Sequence, residues 1–437
     1  MPCCTVKHLS HVFCASIIAC YSIPSFSAYQ SIYHKPEQQA NSFLDILKEG
    51  HASLYFRGRY EYANDDSPQP DSNPIDPISF KSSRAYTLTS RLAYTTAHMC
   101  NFWGLMEFNN VSSYWNKHHN SGAFTTPQRK EFTEIPDAKG TSLNQALIAY
   151  QGLYNTQLIL GRQKIKLDNG RYVGSVDFRQ TPQSFDAITI ENKYITGLEL
   201  FYSYIDSVNT VLQNQDTALF AKRSNHTHLF NSSYDIYPFG TITGYFYYIK
   251  DQAVASLSSS TYGLRYNGAI DLQRAKFLFV SEYAFQSSNS YNPVDYNAEY
   301  YLVEGAFSHP ICDIGLGYEW LEGNKLSTGK AFMTPLSDYH IFNGWADRFS
   351  VTPALGLTDF YLYANARYRQ IEFEAAYHNF HAEANSTKFG HEIDLGLSYS
   401  FLKYYKIYAG LADFRGKTSN NIADSQRFWL SLSAEIA

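Results

Sequence analysis

The chain has 437 residues and a formal net charge of −5, a near-balance that gives no case for nucleic acid as a partner. Its 37 tyrosines and 30 phenylalanines accompany a mean hydropathy of −0.33, so it is rich in aromatics without being apolar in bulk. Beyond the N-terminus no apolar run reaches the length of a membrane-spanning helix, which excludes a helical membrane protein, whereas a closed β-barrel with aromatic girdles fits both features.

The first residues carry the three parts of an export signal: Lys7 and His8, an apolar run over 12–23, and small residues closing on Ser27-Ala28. Residues 1–27 are therefore expected to be removed. Lipidation is the alternative, because Ile18-Ala19-Cys20 has the order that lipoprotein signals use. Four of the six cysteines lie in this signal, and Cys100 and Cys312 are too far apart in sequence to imply a disulfide framework or a metal site. Residues 28–51 read as a periplasmic lead-in, in which 41–48 can form a short amphipathic helix capped by Ser42.

From residue 52 to 437 the hydrophobicity has period two. In SLYFRGRYEY, Leu54, Phe56 and Tyr60 share one face, and Arg57, Arg59 and Glu61 share the other. Arg91 lies opposite Leu88, Leu92 and Tyr94; Arg265 opposite Tyr262, Leu264 and Tyr266; Arg367 and Arg369 opposite Leu362, Ala364, Ala366 and Tyr368. In HEIDLGLSYSFL the alternation lasts about ten residues, the length of a tilted strand crossing a bilayer. A cation facing lipid at mid-bilayer costs roughly 2–4 kcal/mol, so the charged face belongs to a wet lumen. Arg162 breaks the rule, since Leu158 and Leu160 place it on the lipid face; a bulge or a strand end is needed there.

Segments of this kind predict roughly eighteen strands. Short turns such as TAHMC, GLYN, HPIC and Arg369-Gln370 alternate with long connections over 63–83, 110–142, 165–183 and 321–356. The predicted fold is all-β: a transmembrane, antiparallel, up-and-down barrel with long extracellular loops folded toward the lumen.

One long connection concentrates charge. Lys164, Lys166, Arg171 and Arg179 stand among Asp168, Asp177 and Asp186, with Gly170 and Gly174 permitting sharp turns. Lying across the lumen, these cations would form a selectivity ring against which the carboxylates set a transverse field. An external loop facing lipopolysaccharide or solvent is the other reading. The connection over 321–356 is too apolar for disorder, and Asn343, Trp345 and Asp347 read as its anchors, with Arg348 directed toward the pore. Inward wall arginines either select solute or pair with Glu282, Glu304, Glu319 and Glu372. His118-His119 and the His378/His381 pair lack any nucleophile motif, so no catalysis and no cofactor are expected.

The stretch GRQKIKLDNGRYVGSVDFRQTPQSFDA, with SLNQALIAYQGL before it and FMTPLSDYHIFNGWADRFSVTPALGLTDFYL after it, resembles the alginate-export family of outer-membrane porins. YFRGRYEY and LTSRLAYTT extend the likeness over nearly the whole mature chain, and the block from Phe342 to Asp347 is its most specific part. The resemblance implies an eighteen-stranded, arginine-lined, loop-narrowed barrel in the outer membrane of a Gram-negative bacterium, passing small anionic or sugar-like solutes by diffusion. Export of an anionic polysaccharide such as alginate, and a non-transport adhesin or structural barrel, are the alternatives. The implied partners are outer-membrane lipid and lipopolysaccharide, the barrel-assembly machinery and the solute. One departure is the C-terminus, Ala434-Glu435-Ile436-Ala437, where such barrels usually carry an aromatic residue.

Overall fold

The computed structural model describes residues 32–67, 79–115, 118–122, 129–213, 221–324, 329–417, 420 and 422–436, so the expected signal segment lies outside the described residues. Among these are eighteen strands: β1 (His51–Asp65), β2 (Ser83–Thr95), β3 (Phe102–Tyr114), β4 (Gly140–Leu153), β5 (Thr156–Gln163), β6 (Ser184–Asn192), β7 (Leu198–Asn209), β8 (Lys222–Ile236), β9 (Gly240–Ile249), β10 (Ser259–Leu272), β11 (Ala275–Ser288), β12 (Asn297–His309), β13 (Cys312–Leu321), β14 (Leu357–Tyr368), β15 (Ile371–His381), β16 (Lys388–Phe401), β17 (Tyr405–Gly416) and β18 (Ser425–Ile436). Each pairs antiparallel with its sequence neighbours, and β1 closes on β18 with Leu54 opposite Ile436 and Asp65 opposite Ser425. Closure leaves no strand edge unpaired, as a hydrocarbon surround requires.

Alternation decides which way each side chain points. Arg57, Arg59 and Glu61 are buried within the barrel while Leu54 and Phe56 are exposed on its outside. Leu160, Ile188, Val303, Ile314, Leu362, Leu397 and Leu432 continue an exposed apolar band around the cylinder. On a soluble protein such a surface would be an aggregation liability; facing lipid, it is what holds the barrel in place. Tyr60, Tyr86 and Trp115 cluster at the long-loop rim, and Tyr399, Phe401 and Tyr405 at the short-turn rim, as interfacial girdles. Several strands exceed the expected ten residues, β1 and β8 reaching 15. Their extra length lies at the long-loop end, where polar pairs such as Asn64 with Gln426 prolong the ladder beyond the apolar band.

Two residues expected to line the pore lie elsewhere. Arg369 lies in the tight turn between β14 and β15 at φ 55°, with its guanidinium over the Tyr368 ring, because strand pairing stops at Tyr368. Asp186 shares the outer face of β6 with Ile188 and Ile190, so it points away from the lumen. There it pairs with Arg162 at 2.6 Å and with Lys222 at 2.8 Å. Arg162 is thus an outward residue one position from the end of β5, sharing the Asp186 carboxylate with Lys222; Gly161 beside it adopts φ 123°.

The N-terminal lead-in does more than lead in. Ser42 caps helix α1 (Phe43–Lys48) by accepting from the Asp45 amide, and residues 38–40 bond to the β2–β3 turn through His98. Ahead of them Tyr33 turns up into the barrel, where it packs with Trp103, Leu147 and Ile159.

Two inserted loops narrow the long-loop half of the lumen. Ile165, Tyr172 and Phe178 from one loop and Phe332, Leu336, Trp345 and Phe349 from another form a continuous apolar core with Tyr245, Tyr300, Phe380, Phe414 and Trp429 of the inner wall. A barrel of this strand number is too wide for wall side chains to fill, so inserted loops supply the packing.

Candidate functional site: a two-loop constriction

The inner loop, residues 164–183, crosses the lumen, and the wall arginines hold it there. Arg57 donates to the Gln180 side chain at 2.8 Å and to the carbonyls of Asp177 and Arg179. Arg59 donates to the Phe178 carbonyl at 2.7 Å, and its guanidinium lies 4.4 Å from the centre of the Phe178 ring. Thr89 donates to the Gln180 carbonyl, and Asp137 accepts from the Gln180 amide at 2.9 Å. Loop carbonyls carried into a lumen need donors, and guanidinium supplies several in a fixed fork.

The loop's own cations are paired. Arg171 meets Glu319 of β13 at 2.8 Å, and Lys166 meets Asp338 at 2.9 Å. Arg179 meets Glu61 at 3.1 Å and Asp347 at 2.7 Å. Elsewhere on the wall Arg265 pairs with Glu282 at 2.5 Å and Arg367 with Asp313 at 2.6 Å, while Arg348 reaches Asp65 at 3.1 Å. Among the described residues Arg57, Arg59, Arg171 and Arg179 are buried and brace the constriction, and Arg265 is buried in its wall pair with Glu282.

The second loop, residues 322–356, docks on the first. Val173 and Leu336 form a short parallel bridge, and the Asp338 carboxylate accepts from the Val176 amide. A Cβ on Gly174 would stand 2.4 Å from the Asp338 carboxyl carbon, so only glycine allows this approach. Asn343 accepts from Arg171 at 3.0 Å and donates to Glu319 and Asp359. Beyond it the backbone amides of Trp345 and Ala346 donate to Asp394 and Glu392 of β16. Asn343, Gly344 and Asp347 take positive φ values of 56°, 86° and 58°, so the block is a tight knot fitted over wall carboxylates. Trp345 is fully buried within it, consistent with an anchor.

Two partly buried cations lie under the inner loop, toward the short turns. Arg91 sits one inward position below Thr89, donates to Asn109 at 3.0 Å and lies over the Tyr55 ring. Lys164 pairs with Asp177 at 2.7 Å. Desolvation opposes ionisation of Asp177, yet Lys164 and then Arg91 hold its carboxyl well below the usual range. Asp168 is the opposite case: burial pushes it up to about 7, against Arg265, with Glu282 adding to the rise and Asn231 donating to one oxygen at 3.0 Å. Burial lowers the pKa of His340 although Asp347 bonds its ring at 2.9 Å.

Sequence reasoning did not pick out Glu61, Asp137, Gln180 and Asp338 as loop holders, nor Tyr33 inside the lumen. A signal existed for the docking surface: Phe414 and Trp429 are large apolar residues at inward parity, where a purely wet lumen would have polar ones.

A closed cylinder with an apolar exterior, an ionised interior and two loops docked inside defines an outer-membrane β-barrel of the porin class. Within that class the chain belongs to the alginate export family, whose model matches residues 52–398. No curated protein matches it in sequence. In fold it is similar to OccAB2 of Acinetobacter baumannii, with a TM-score of 0.67 at 14% identity over 90% of this chain and 100% of that one. It is similar also to OpdQ of Pseudomonas aeruginosa, at 0.65 and 12% over 90% and 99%. OpdK of Pseudomonas aeruginosa, whose crystal structure was determined with vanillate, matches at 0.66 and 10% over 90% and 100%. The protein is thus a porin-like barrel of the Gram-negative outer membrane.

Proposed function

We propose that the barrel passes small hydrophilic solutes by diffusion and favours anions at the underside of its constriction. The observation that carries this reading is the placement of partly buried Arg91 and Lys164 together beneath the inner loop, Lys164 paired with Asp177 and Arg91 bonded to Asn109 and to the Gln180 carbonyl. Asp177 opposite Lys164 gives the passage a transverse field of the kind that orients charged solutes in narrow pores. The vanillate in the OpdK structure, itself an anion, is consistent with that solute class in this fold. Two loops packed across the lumen support small solutes over a passing polymer, so uronates or other organic acids are preferred to export of alginate itself. Lipopolysaccharide would meet the outward Arg162 and Lys222 at the rim, and the barrel-assembly machinery would insert the chain. Passage needs neither turnover nor a cofactor. Purified protein in planar bilayers should give stepwise openings that small organic anions such as galacturonate reduce in a saturable way; a bilayer that stays silent after verified insertion would refute the channel.

A further inference from the structure

On the short-turn side of the constriction, a cavity of about 730 Å³ lies between the N-terminal arm and the inner faces of β4 to β7. Tyr33 and Lys35 close one side of it, and Gln151, Gln157, Glu191 and Glu199 line the other. Its volume is within the range of roughly 300–1,000 Å³ typical of small-molecule sites.

The arm is built into this place. The Tyr33 hydroxyl accepts from the Lys164 amide at 2.7 Å and donates to Gln145, and its ring stands 6.4 Å from Trp103. Lys35 donates to Asn101 at 2.9 Å. The arm therefore touches both the root of the inner loop and the β2–β3 turn.

Two of the lining residues each carry a buried polar atom without a partner: the Gln157 amide nitrogen and one Glu199 carboxylate oxygen. In each side chain the other polar atom is satisfied, Gln157 Oε1 by Gln151 at 3.0 Å and Glu199 Oε1 by Lys193 at 2.7 Å. Gln157 is only 5% exposed. An unmet buried polar group is costly, and one open donor plus one open acceptor matches a hydroxyl, which both accepts and donates. The charges of the lining cancel, Lys35 and Lys193 against Glu191 and Glu199, so this chamber does not repeat the cationic bias above it.

We propose that the chamber is a second solute subsite, specific for hydroxyl-rich, saccharide-like molecules and roofed by the N-terminal arm. The proposal rests on the channel reading for its place in transport, but its binding chemistry is testable apart from current. Maltose is titrated calorimetrically into the folded full-length barrel, alongside the Gln157→Leu and Glu199→Gln variants, with folding verified by heat-modifiable gel mobility. The wild type should bind saturably, and each variant should bind roughly ten-fold more weakly, the factor that about 1.4 kcal/mol represents. The two substitutions lie on different strands, so if one fails to fold the other still decides. No binding by the wild type, or equal binding by wild type and variants, overturns the subsite. Bilayer currents from the same preparations separate the two readings: current without maltose binding sinks the subsite alone, and maltose binding without current sinks the channel alone.

Discussion

Arg179 of the inner loop lies 2.7 Å from Asp347 of the second loop, and its other terminal nitrogen lies 3.1 Å from Glu61 of β1. One guanidinium thereby ties two loops to each other and to the wall. Removing it leaves Asp347 to the His340 ring at 2.9 Å and Glu61 to Arg59 at 3.8 Å, and taking one partner out of a buried pair of this kind costs about 3–5 kcal/mol. Arg179→Gln should therefore release the loops while the barrel stays closed. Larger and noisier single-channel conductance with wild-type gel mobility is the expected result; an unchanged conductance would show that the loops are held elsewhere.

Asp168 makes the docking pH-dependent. Its docked pKa of about 7 exceeds the ordinary value of 3.8, so the docked loop binds the proton more tightly than a released one. Docking is then strongest below about pH 4, weakens as pH climbs, and has lost this contribution once pH passes about 7. Conductance noise should rise over that window in the wild type. Asp168→Asn should flatten the dependence, and a variant retaining the full pH response would assign it to another group.

Trp345, within the knot from Phe342 to Asp347, is fully buried. Trp345→Ala should cost about 3–5 kcal/mol of packing and Trp345→Phe much less. Limited proteolysis from the extracellular side is the appropriate assay. Cleavage within the second loop should appear in the alanine variant first; equal protection of all three proteins would mean that the tryptophan anchors nothing.

Strand number, sidedness and loop alternation were legible because period two is a local property that neighbouring residues report together. Arg57, Arg59, Arg91, Arg265 and Arg367 all lie on the predicted inner face for that reason. What they do there was not legible. A wall arginine that binds the carbonyl of Phe178, 119 residues away, looks in sequence the same as one that faces water. Asp186 was misplaced because its loop neighbours suggested the lumen, whereas its strand neighbours Ile188 and Ile190 set its parity. Arg369 failed for a related reason: parity extends only as far as pairing, and pairing ends one residue earlier. Tyr33 lay beyond reach, since an arm that folds back into the barrel leaves no periodic trace.

Ion selectivity reports which side chains a passing solute meets. Arg171, Arg179 and Arg265 are held in buried pairs, so the cationic charge beneath the inner loop should come chiefly from Arg91 and from Lys164, whose pair with Asp177 is only partly buried. The measurement is the reversal potential of single channels in a potassium chloride gradient, for the wild type and for the Arg91→Gln, Lys164→Gln double variant. The wild type should prefer chloride, and its reversal potential should move toward cations in the double variant. A wild type that is non-selective or prefers potassium, or a double variant with unchanged selectivity, would contradict that reading.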